Sequence, residues 1–533
     1  MRRLRSESLR TAGAGLTRSS LDLQIELPPD LRSRALLGGE AADRASLVSG
    51  PFRASPPAYL TASDDDSLAR ILIWAWENRV GIIPRGGGTG MPGGNLGPHL
   101  VLELGRGFDR VELLEADASR IRAGAGAVAG VVDRLARERG RFLPFLPSSS
   151  EWCRVGGMVG TNAGGARSFR HGAIHRWVDA VEGFFAWGEP FRLERGATPA
   201  GPFSKLQARV AKSLPSSGGA VRGWPNVRKN SSGYALDRFL SEGDAVGLLV
   251  GSEGTLAVFT SVELRTAPLP EATGLALFVA DSADELAAVA EGARDVDATA
   301  CEFFGRRFLE LGGAADALPD IVPQAWALAL VEVSGSEGEV QDRLARLGGP
   351  GGGARPRFAT REPDEVDRLW GVRRRASPAI AHHAPSGLVS TQFIEDSVVP
   401  PPAFGRYLEG LERILADARF DAVVFGHAGD ANVHANVLLD LSEPDWLPRA
   451  RSVLDDVTEL VRALGGTLSG EHGDGRLRAP LVSRIWTQPI VKAFREVKDS
   501  LDPRGTLNPG VVVPLKNQDP FEGFAPRPLA FPP

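Results

Sequence analysis

Cysteine is nearly absent from this chain. Cys153 and Cys301 are the only two in 533 residues. That is too few for a disulfide framework, a cysteine-rich zinc site or an iron–sulfur cluster. A built-in cluster relay for electrons is thereby excluded, and a reducing compartment is the simplest inference. Excess positive charge is also missing: 61 Lys and Arg against 66 Asp and Glu give a formal net charge of -5. No global basic field points to nucleic acid, and the local arginine clusters lack an interleaved aromatic platform. No stretch approaches the ~18 consecutive apolar residues that suggest a transmembrane helix. These absences point to a cytoplasmic protein, with attachment at the membrane periphery left open. Histidine is scarce, eight in all, so where the histidines fall is informative.

Hydrophobic residues at 43% and charged residues at 24% are ordinary for a globular protein. A chain of this length suggests two to four domains at roughly 100–200 residues each, and it can bury a large core unaided. Arg2, Arg3, Arg5, Arg10 and Arg18 fall in a segment where Glu7 is the only acid. Such a segment reads as an organelle-targeting peptide or as a disordered or misassigned start.

From about residue 58 short strand and helix patterns alternate. Ser67–Asn78 reads as a helix and Val80–Pro84 as a short buried strand. Val128, Val131, Val132, Leu135 and Ala136 keep amphipathic helical spacing, with Gly140 placed for a C-terminal cap. Val246–Val250 and Thr255–Leu264 read as strands. Pro268-Leu269-Pro270 reads as a linker. Beyond it, strand runs Gly274–Val279 and Trp326–Val333 alternate with helices, Gly348–Gly353 forms a glycine-rich loop, and Leu454–Leu464 is a helix stopped by Gly465-Gly466. There is no internal repeat.

Three segments are dense in glycine. Arg85–Asn95 follows a strand and holds Gly86, Gly87, Gly88 and Gly90 around Thr89. Consecutive bare N–H groups in such a turn form a nest for a pyrophosphate. The pattern is neither a Rossmann nor a P-loop fingerprint, and a plain flexible loop is the alternative. Pro147–Gly165 and Gly251–Leu256 add hydroxyl, amide and N–H donors suited to phosphate and to polar ring edges. Gly124–Gly130 resembles a nucleotide fingerprint superficially. It lacks the third glycine and the later acid, so it reads as strand–turn–helix packing.

A histidine–carboxylate constellation lies further on. An apolar strand ends at Gly426-His427, and period-two geometry then places His434 and Asn436 on one strand face. Glu471-His472 sits between glycines. Two imidazoles and a carboxylate with open positions suit Zn²⁺ or another divalent first-row ion. Satisfied polar loop residues are the alternative.

Taken in order, Pro84–Gly94, Pro147–Gly165, Arg228–Tyr234, Gly251–Leu256 and the two histidine segments resemble the FAD-linked oxidase family with the vanillyl-alcohol-oxidase fold. The resemblance is closest to its D-lactate, glycolate and D-2-hydroxyglutarate dehydrogenase branch and spans about residues 58–515. It implies an α+β protein: a two-subdomain FAD-binding domain, an α+β substrate (cap) domain and a C-terminal return to the flavin domain. The boundaries expected are 1–57 for an N-terminal extension, 58–268 for the FAD-binding domain, 269–468 for the cap, 469–515 for the closing segment and 516–533 for an irregular tail.

By that resemblance Gly86, Gly87, Gly88, Thr89, Gly90 and Asn95 cradle the pyrophosphate. Pro147, Ser148, Gly157, Thr161, Asn162, Gly165 and Gly172 line the FAD, Glu253, Gly254 and Val258 meet its adenine side, and Asn508 approaches the flavin. The first loop has Gly88-Thr89 where some relatives carry a flavin-linking histidine, so attachment is expected to be non-covalent. His427, His434 and Glu471 match metal ligands, His472 the base, Asn436 a substrate contact and Arg373 a substrate-carboxylate arginine. A solvated arginine in the Arg373-Arg374-Arg375 run is the plain alternative for Arg373.

The activity implied is metal-assisted oxidation of a small D-2-hydroxy acid to its 2-oxo acid, with hydride passing to flavin N5. Phe393 and Ile394 stand where some dicarboxylate relatives carry a lysine, which favours D-lactate or glycolate over D-2-hydroxyglutarate. Asp474 replaces a common apolar residue and adds negative charge near the metal segment. The electron acceptor, a quinone, a cytochrome or an electron-transferring flavoprotein, is left open. The competing readings are a metal hydrolase acting on a nucleotide and a non-catalytic flavin-binding subunit.

Overall fold

The computed structural model describes residues 26–214, 216–217, 220–311, 325–347, 356–383 and 387–526. The arginine-rich N-terminal stretch and the Gly348–Gly353 loop lie outside the described residues.

Three main sheets organise the chain. The first runs in the spatial order Ala35–Leu37, Ala58–Ala62, Leu100–Leu104, Ile82–Arg85. Its last three strands are parallel, and the first pairs antiparallel at the edge. The crossover helix Asp65–Asn78 buries Leu68, Ile71, Leu72 and Ala75 against this sheet, the i, i+3, i+4, i+7 stripe expected from the sequence. It starts two residues earlier than Ser67. Asp64 is the N-cap, accepting the Ser67 N–H at 2.7 Å while the Ser67 hydroxyl accepts the Asp64 N–H at 3.2 Å. Such a cap is worth about 1 kcal/mol.

The second sheet is antiparallel, in the order Val111–Leu113, Arg120–Gly124, Val258–Arg265, Val178–Phe184, Pro190–Glu194. The third has eight strands, with Ala300–Gly305, Asp421–His427 and Asn432–Asp440 adjacent near its middle. Mixed helices and sheets in this arrangement bear out the α+β class.

Several local expectations are corrected. Val246–Val250 is not a strand: Ala245–Leu249 is a short helix with every residue buried. Where all sides are apolar, periodicity cannot separate a buried strand from a buried helix turn. The strand expected from Thr255 begins at Val258, because Thr255 turns back to donate its N–H to Ser252 at 2.9 Å. Residues 26–57, expected as an extension, contribute the edge strand of the first sheet. Ser49 also donates its N–H to Gly88 O at 3.1 Å.

Alternation in the third sheet decides where the chemistry goes. Phe303, Val331, Val433, Ala435 and Val437 face helices Ala283–Asp295, Phe404–Asp417 and Trp446–Ala463. Their neighbours Phe304, Leu330, Val423, Phe425 and Leu438 face the other way, with Leu369, Trp370 and Val372 of helix Pro363–His383. Period-two geometry puts Glu302, His427, His434, Asn436 and Glu332 on this second face. The chain closes onto the first sheet: Ile82 N–H meets Thr506 O and Asn508 N–H meets Ile82 O, both at 2.7 Å.

Candidate functional site

The first glycine loop leaves the end of the parallel strand Ile82–Arg85. Among the described residues, no backbone N–H from 86 to 90 donates to another protein group. A Cβ on Gly87 would lie 2.2 Å from the Trp152 carbonyl oxygen, and Gly88 takes φ +76, so the loop demands glycine there. Asn95 donates its amide to Gly90 O at 3.2 Å, while its Oδ1 is buried without a partner. A row of free N–H donors fits the diphosphate of a dinucleotide.

The second glycine segment packs against the first: a Cβ on Gly86 would meet Gly157 Cα at 3.3 Å. Ser148 and Pro147 sit in the turn closed by Ser150 N–H to Pro147 O, and Gly165 lies so close to Leu146 O that a Cβ there would stand 2.0 Å away. Thr161 Oγ1 donates to Gly157 O at 3.3 Å. Gly172 takes φ +77 beside Arg176. The Asn162 side chain is occupied by protein: its Oδ1 faces His175 Nδ1 at 3.0 Å. Gly254 packs on Pro84, and Val258 is buried in the first-sheet core.

The Glu253 carboxylate caps the backbone of the closing turn. Its Oε1 accepts the Asp474 N–H at 2.6 Å and its Oε2 the Gly475 N–H at 3.0 Å. Burial pushes the Glu253 carboxyl up to about 8 and Asp474 up to about 6. The Asp474 charge therefore faces Glu253 and the Gly233 N–H, 2.8 Å from its Oδ2. Asn508 donates to Gly94 O and Glu253 O, both at 2.8 Å, and so ties the closing segment to both flavin-side loops.

The histidine constellation assembles around one oxygen atom. Glu471 Oε1 lies 3.1 Å from His427 Nε2, 3.5 Å from His434 Nε2 and 3.6 Å from His472 Nε2. His427, His434 and Glu471 can each offer one atom within a 4.8 Å group. Behind the ring stand carboxylates. Glu302 Oε1 is 2.5 Å from His427 Nδ1, and Glu395 Oε2 is 2.6 Å from His472 Nδ1 and 3.5 Å from His434 Nδ1. A neutral imidazole that donates from Nδ1 keeps its Nε2 lone pair free. Imidazoles backed by carboxylates and converging on a further carboxylate are the donor set of a divalent first-row ion, so the residues fit a metal.

Charge explains the titration of this cluster. Burial alone would depress His427, but Glu302 outweighs it and raises the imidazole to about 9. Burial likewise opposes His472, and Glu395 with Asp396 raises it to about 10. Glu302 is held down near 2 against its own burial, chiefly by His427 and Arg373. Glu471 lies well below the carboxylate range, against its burial, because Lys229 and His427 face it.

The other expected site residues converge on the same face. Arg373 is not solvated: its Nε donates to Glu302 Oε2 at 3.1 Å and its guanidinium lies over Phe425. Asn436 lies two residues from His434 on the same face, and its amide makes no hydrogen bond among the described residues. A Cβ on Gly164 would stand 3.2 Å from Glu471 Oε2, so the second glycine segment adjoins the Glu471 carboxylate directly. Exposure marks the open side: 31% for the His472 side chain against 3% for His427 and 6% for His434.

Sequence reasoning missed the buried acids of the third sheet, of which Glu302 backs His427 while Glu332 pairs with Arg167 and Trp370. Glu302 and Glu332 interrupt otherwise apolar strands, Ala300–Gly305 and Ala327–Gly335. A carboxylate in such a run must find a partner inside, and that was the available signal. Asp396 was also missed. Its oxygens take the N–H groups of Glu471 and His472, the Ser469 hydroxyl and the Asn432 amide, fixing the Ser469–His472 turn.

Residues 56–194 match an FAD binding domain and residues 269–512 match the C-terminal domain of FAD linked oxidases. The chain is 29% identical over 470 residues to glycolate oxidase subunit GlcD of Bacillus subtilis (strain 168), covering 86% of this chain and 89% of that one. It is 29% identical over 476 residues to a D-lactate dehydrogenase of Archaeoglobus fulgidus, covering 88% and 94%. It is 26% identical over 480 residues to a D-2-hydroxyglutarate dehydrogenase of Xanthomonas citri pv. viticola, covering 86% and 89%. In three dimensions it resembles p-cresol methylhydroxylase with substrate bound, at TM-score 0.65 and 13% identity over 91% of this chain and 94% of that one. The likeness to 4-ethylphenol oxidase from Gulosibacter chungangensis is similar, at TM-score 0.63 and 16% identity over 90% and 94%. These two show the fold alone. Among the described residues no helix is long and apolar enough to cross a membrane.

Proposed function

We propose that this chain, an FAD-linked oxidase by both of its domains, oxidises a small D-2-hydroxy acid to the 2-oxo acid with metal assistance. The observation that carries the reading is the convergence of His427, His434 and His472 on one Glu471 oxygen, beside a glycine segment of the flavin-binding half. Bound FAD would supply the two-electron acceptor. A divalent ion held by His427, His434 and Glu471 would polarise the substrate hydroxyl.

The protein groups do the rest. His472 is oriented from behind by Glu395 and presents Nε2 on the open side of the cluster. There it takes the hydroxyl proton as the carbinol hydride departs. Neighbouring carboxylates hold this imidazole protonated in the metal-free chain, and a cation among the same carboxylates acts in the opposite direction. Arg373 lies next to the cluster through Glu302 and receives the substrate carboxylate. The Asn436 side-chain amide, which has no partner among the described residues, serves the same ligand. The glycine segments exclude bulk and hold the cofactor without a covalent link.

Similarity to the glycolate, D-lactate and D-2-hydroxyglutarate enzymes supports a hydroxy acid as substrate. Phe393 and Ile394 are buried in the apolar core, at 1% and 3% exposure, and bring no cation to a second carboxylate. That supports D-lactate or glycolate. The electron acceptor is a separate carrier, a quinone, a cytochrome or a flavoprotein. The test is an anaerobic screen of the purified yellow protein, watching the flavin band. Bleaching by D-lactate or glycolate supports the reading. A colourless protein that refuses added FAD removes it.

A further inference from the structure

We propose that Lys229 is a positioning residue that reserves one oxygen of Glu471, so that an ion bound by His427, His434 and Glu471 keeps a position open for substrate. The proposal rests on the metal-assisted reading above. Lys229 lies in the Arg228–Tyr234 segment, 242 residues before Glu471, and its side chain is 3% exposed. Its Nζ donates to Glu471 Oε2 at 2.8 Å and stands 3.4 Å from Asp430 Oδ2. The other oxygen, Oε1, is the one ringed by the three imidazole nitrogens. The two oxygens of one carboxylate are thus divided between an ammonium and a ligand set.

The ammonium is fixed in place. Asp430 is itself pinned by Arg228, whose Nε donates to Oδ1 at 3.1 Å and whose guanidinium covers the Phe169 ring at 4.8 Å. Ser231, two residues on, donates its N–H to Ser469 O at 2.9 Å and its hydroxyl to Gly470 O at 3.1 Å. The whole segment is laced to the turn that carries Glu471.

A carboxylate free of Lys229 could grip a divalent ion with both oxygens. Held as it is, Glu471 gives one oxygen, and with two imidazole nitrogens this leaves the ion an open position. The ammonium also repels the ion, so the site trades affinity for access. Both consequences are readable apart from turnover.

The experiment uses the full flavin-loaded protein, stripped of metal by chelation, with Lys229→Met and Lys229→Arg. Zn²⁺ is titrated by calorimetry and Co²⁺ by its visible bands. Removing a like charge a few ångströms from the ion should tighten Zn²⁺ binding of Lys229→Met at least about tenfold. Its Co²⁺ bands should shift as a ligand is added, and flavin reduction by substrate should slow by about 10–100-fold. Lys229→Arg, which keeps the cation, should match the wild type in affinity and bands. Unchanged or weaker Zn²⁺ binding in Lys229→Met overturns the proposal, and so does tighter binding with undiminished reduction. Should Lys229→Met lose its flavin through misfolding, altered bands in folded Lys229→Arg overturn it equally. A wild-type protein that binds neither ion would instead sink the metal-assisted reading itself.

Discussion

Nδ1 of His472 lies 2.6 Å from Oε2 of Glu395, a carboxylate buried to 2% of its side-chain surface. The contact fixes which imidazole nitrogen faces the open site. The Arg478 guanidinium holds the other Glu395 oxygen, so the carboxylate cannot rotate away. His472→Ala should therefore slow flavin reduction by about 10²–10⁴-fold, the usual worth of a positioned base. Its metal content should stay at the wild-type level, since His427, His434 and Glu471 remain. Glu395→Gln should lose about 10–100-fold, as outer partners of such sites do. Stopped-flow flavin reduction together with metal analysis checks both. An undiminished rate in His472→Ala would remove it from the reaction.

Stripping the metal separates the two halves of the site. In the proposed reading the glycine loop would hold the cofactor with the undonated backbone N–H groups at 86–90, which need no ion to do so. Chelation should thus leave the protein yellow while substrate no longer bleaches it, and added Zn²⁺ should restore bleaching. Loss of the flavin together with the metal would mean that the cofactor and ion sites are not independent.

The sequence marked the glycine loops and the histidine segments because both are rare chemistry at tight spacing. Neighbours within a few residues, such as Glu471-His472 or His434 with Asn436, are legible from local geometry. Glu302, Glu395 and Lys229 were not given roles, because each reaches the site from a different part of the chain. Glu302 meets His427 only through the register of two strands 125 positions apart. The helix at Ala245–Leu249 failed for another reason. It is buried on every side, so its apolar run carries no phase.

Gly87 tests the cradle. A Cβ there would stand 2.2 Å from a backbone oxygen, which no rotamer can relieve. Gly87→Ala should cost about 1–3 kcal/mol of stability, in the range of overpacking, and should lower FAD occupancy on purification. Gly292→Ala is the contrast. It lies within a helix with nothing within 4 Å of its added Cβ, so it should gain about 1 kcal/mol and keep full flavin. Equal flavin content in the two variants would contradict the close approach.

Three histidines outside the cluster work against the fold at acid pH. Burial lowers His99 and His171 to about 4 and takes His175 well below its ordinary value. His171 packs edge-on against Phe142, and His175 Nδ1 faces Asn162 Oδ1. Unfolded, each titrates near ~6.5, so between about pH 6.5 and 4 the unfolded chain binds more protons than the native one. Their contribution is complete above about pH 6.5 and is lost as pH falls, at up to ~1.4 kcal/mol per pH unit for each group before solvent screening reduces it. His427 and His472 act in the opposite sense. Raised to about 9 and 10, they stabilise the metal-free protein below about pH 6.5 and lose that contribution as pH climbs through those values. A bound ion displaces their protons, so it should shrink the alkaline decline, leaving the part that Glu253, raised to about 8, contributes up to that pH, and leave the acid limb unchanged. Urea midpoints of the metal-free and Zn²⁺-loaded protein at about pH 5, 6.5 and 9 measure both limbs. His171→Asn should flatten the acid limb alone, because its ring makes no contact with the imidazole cluster.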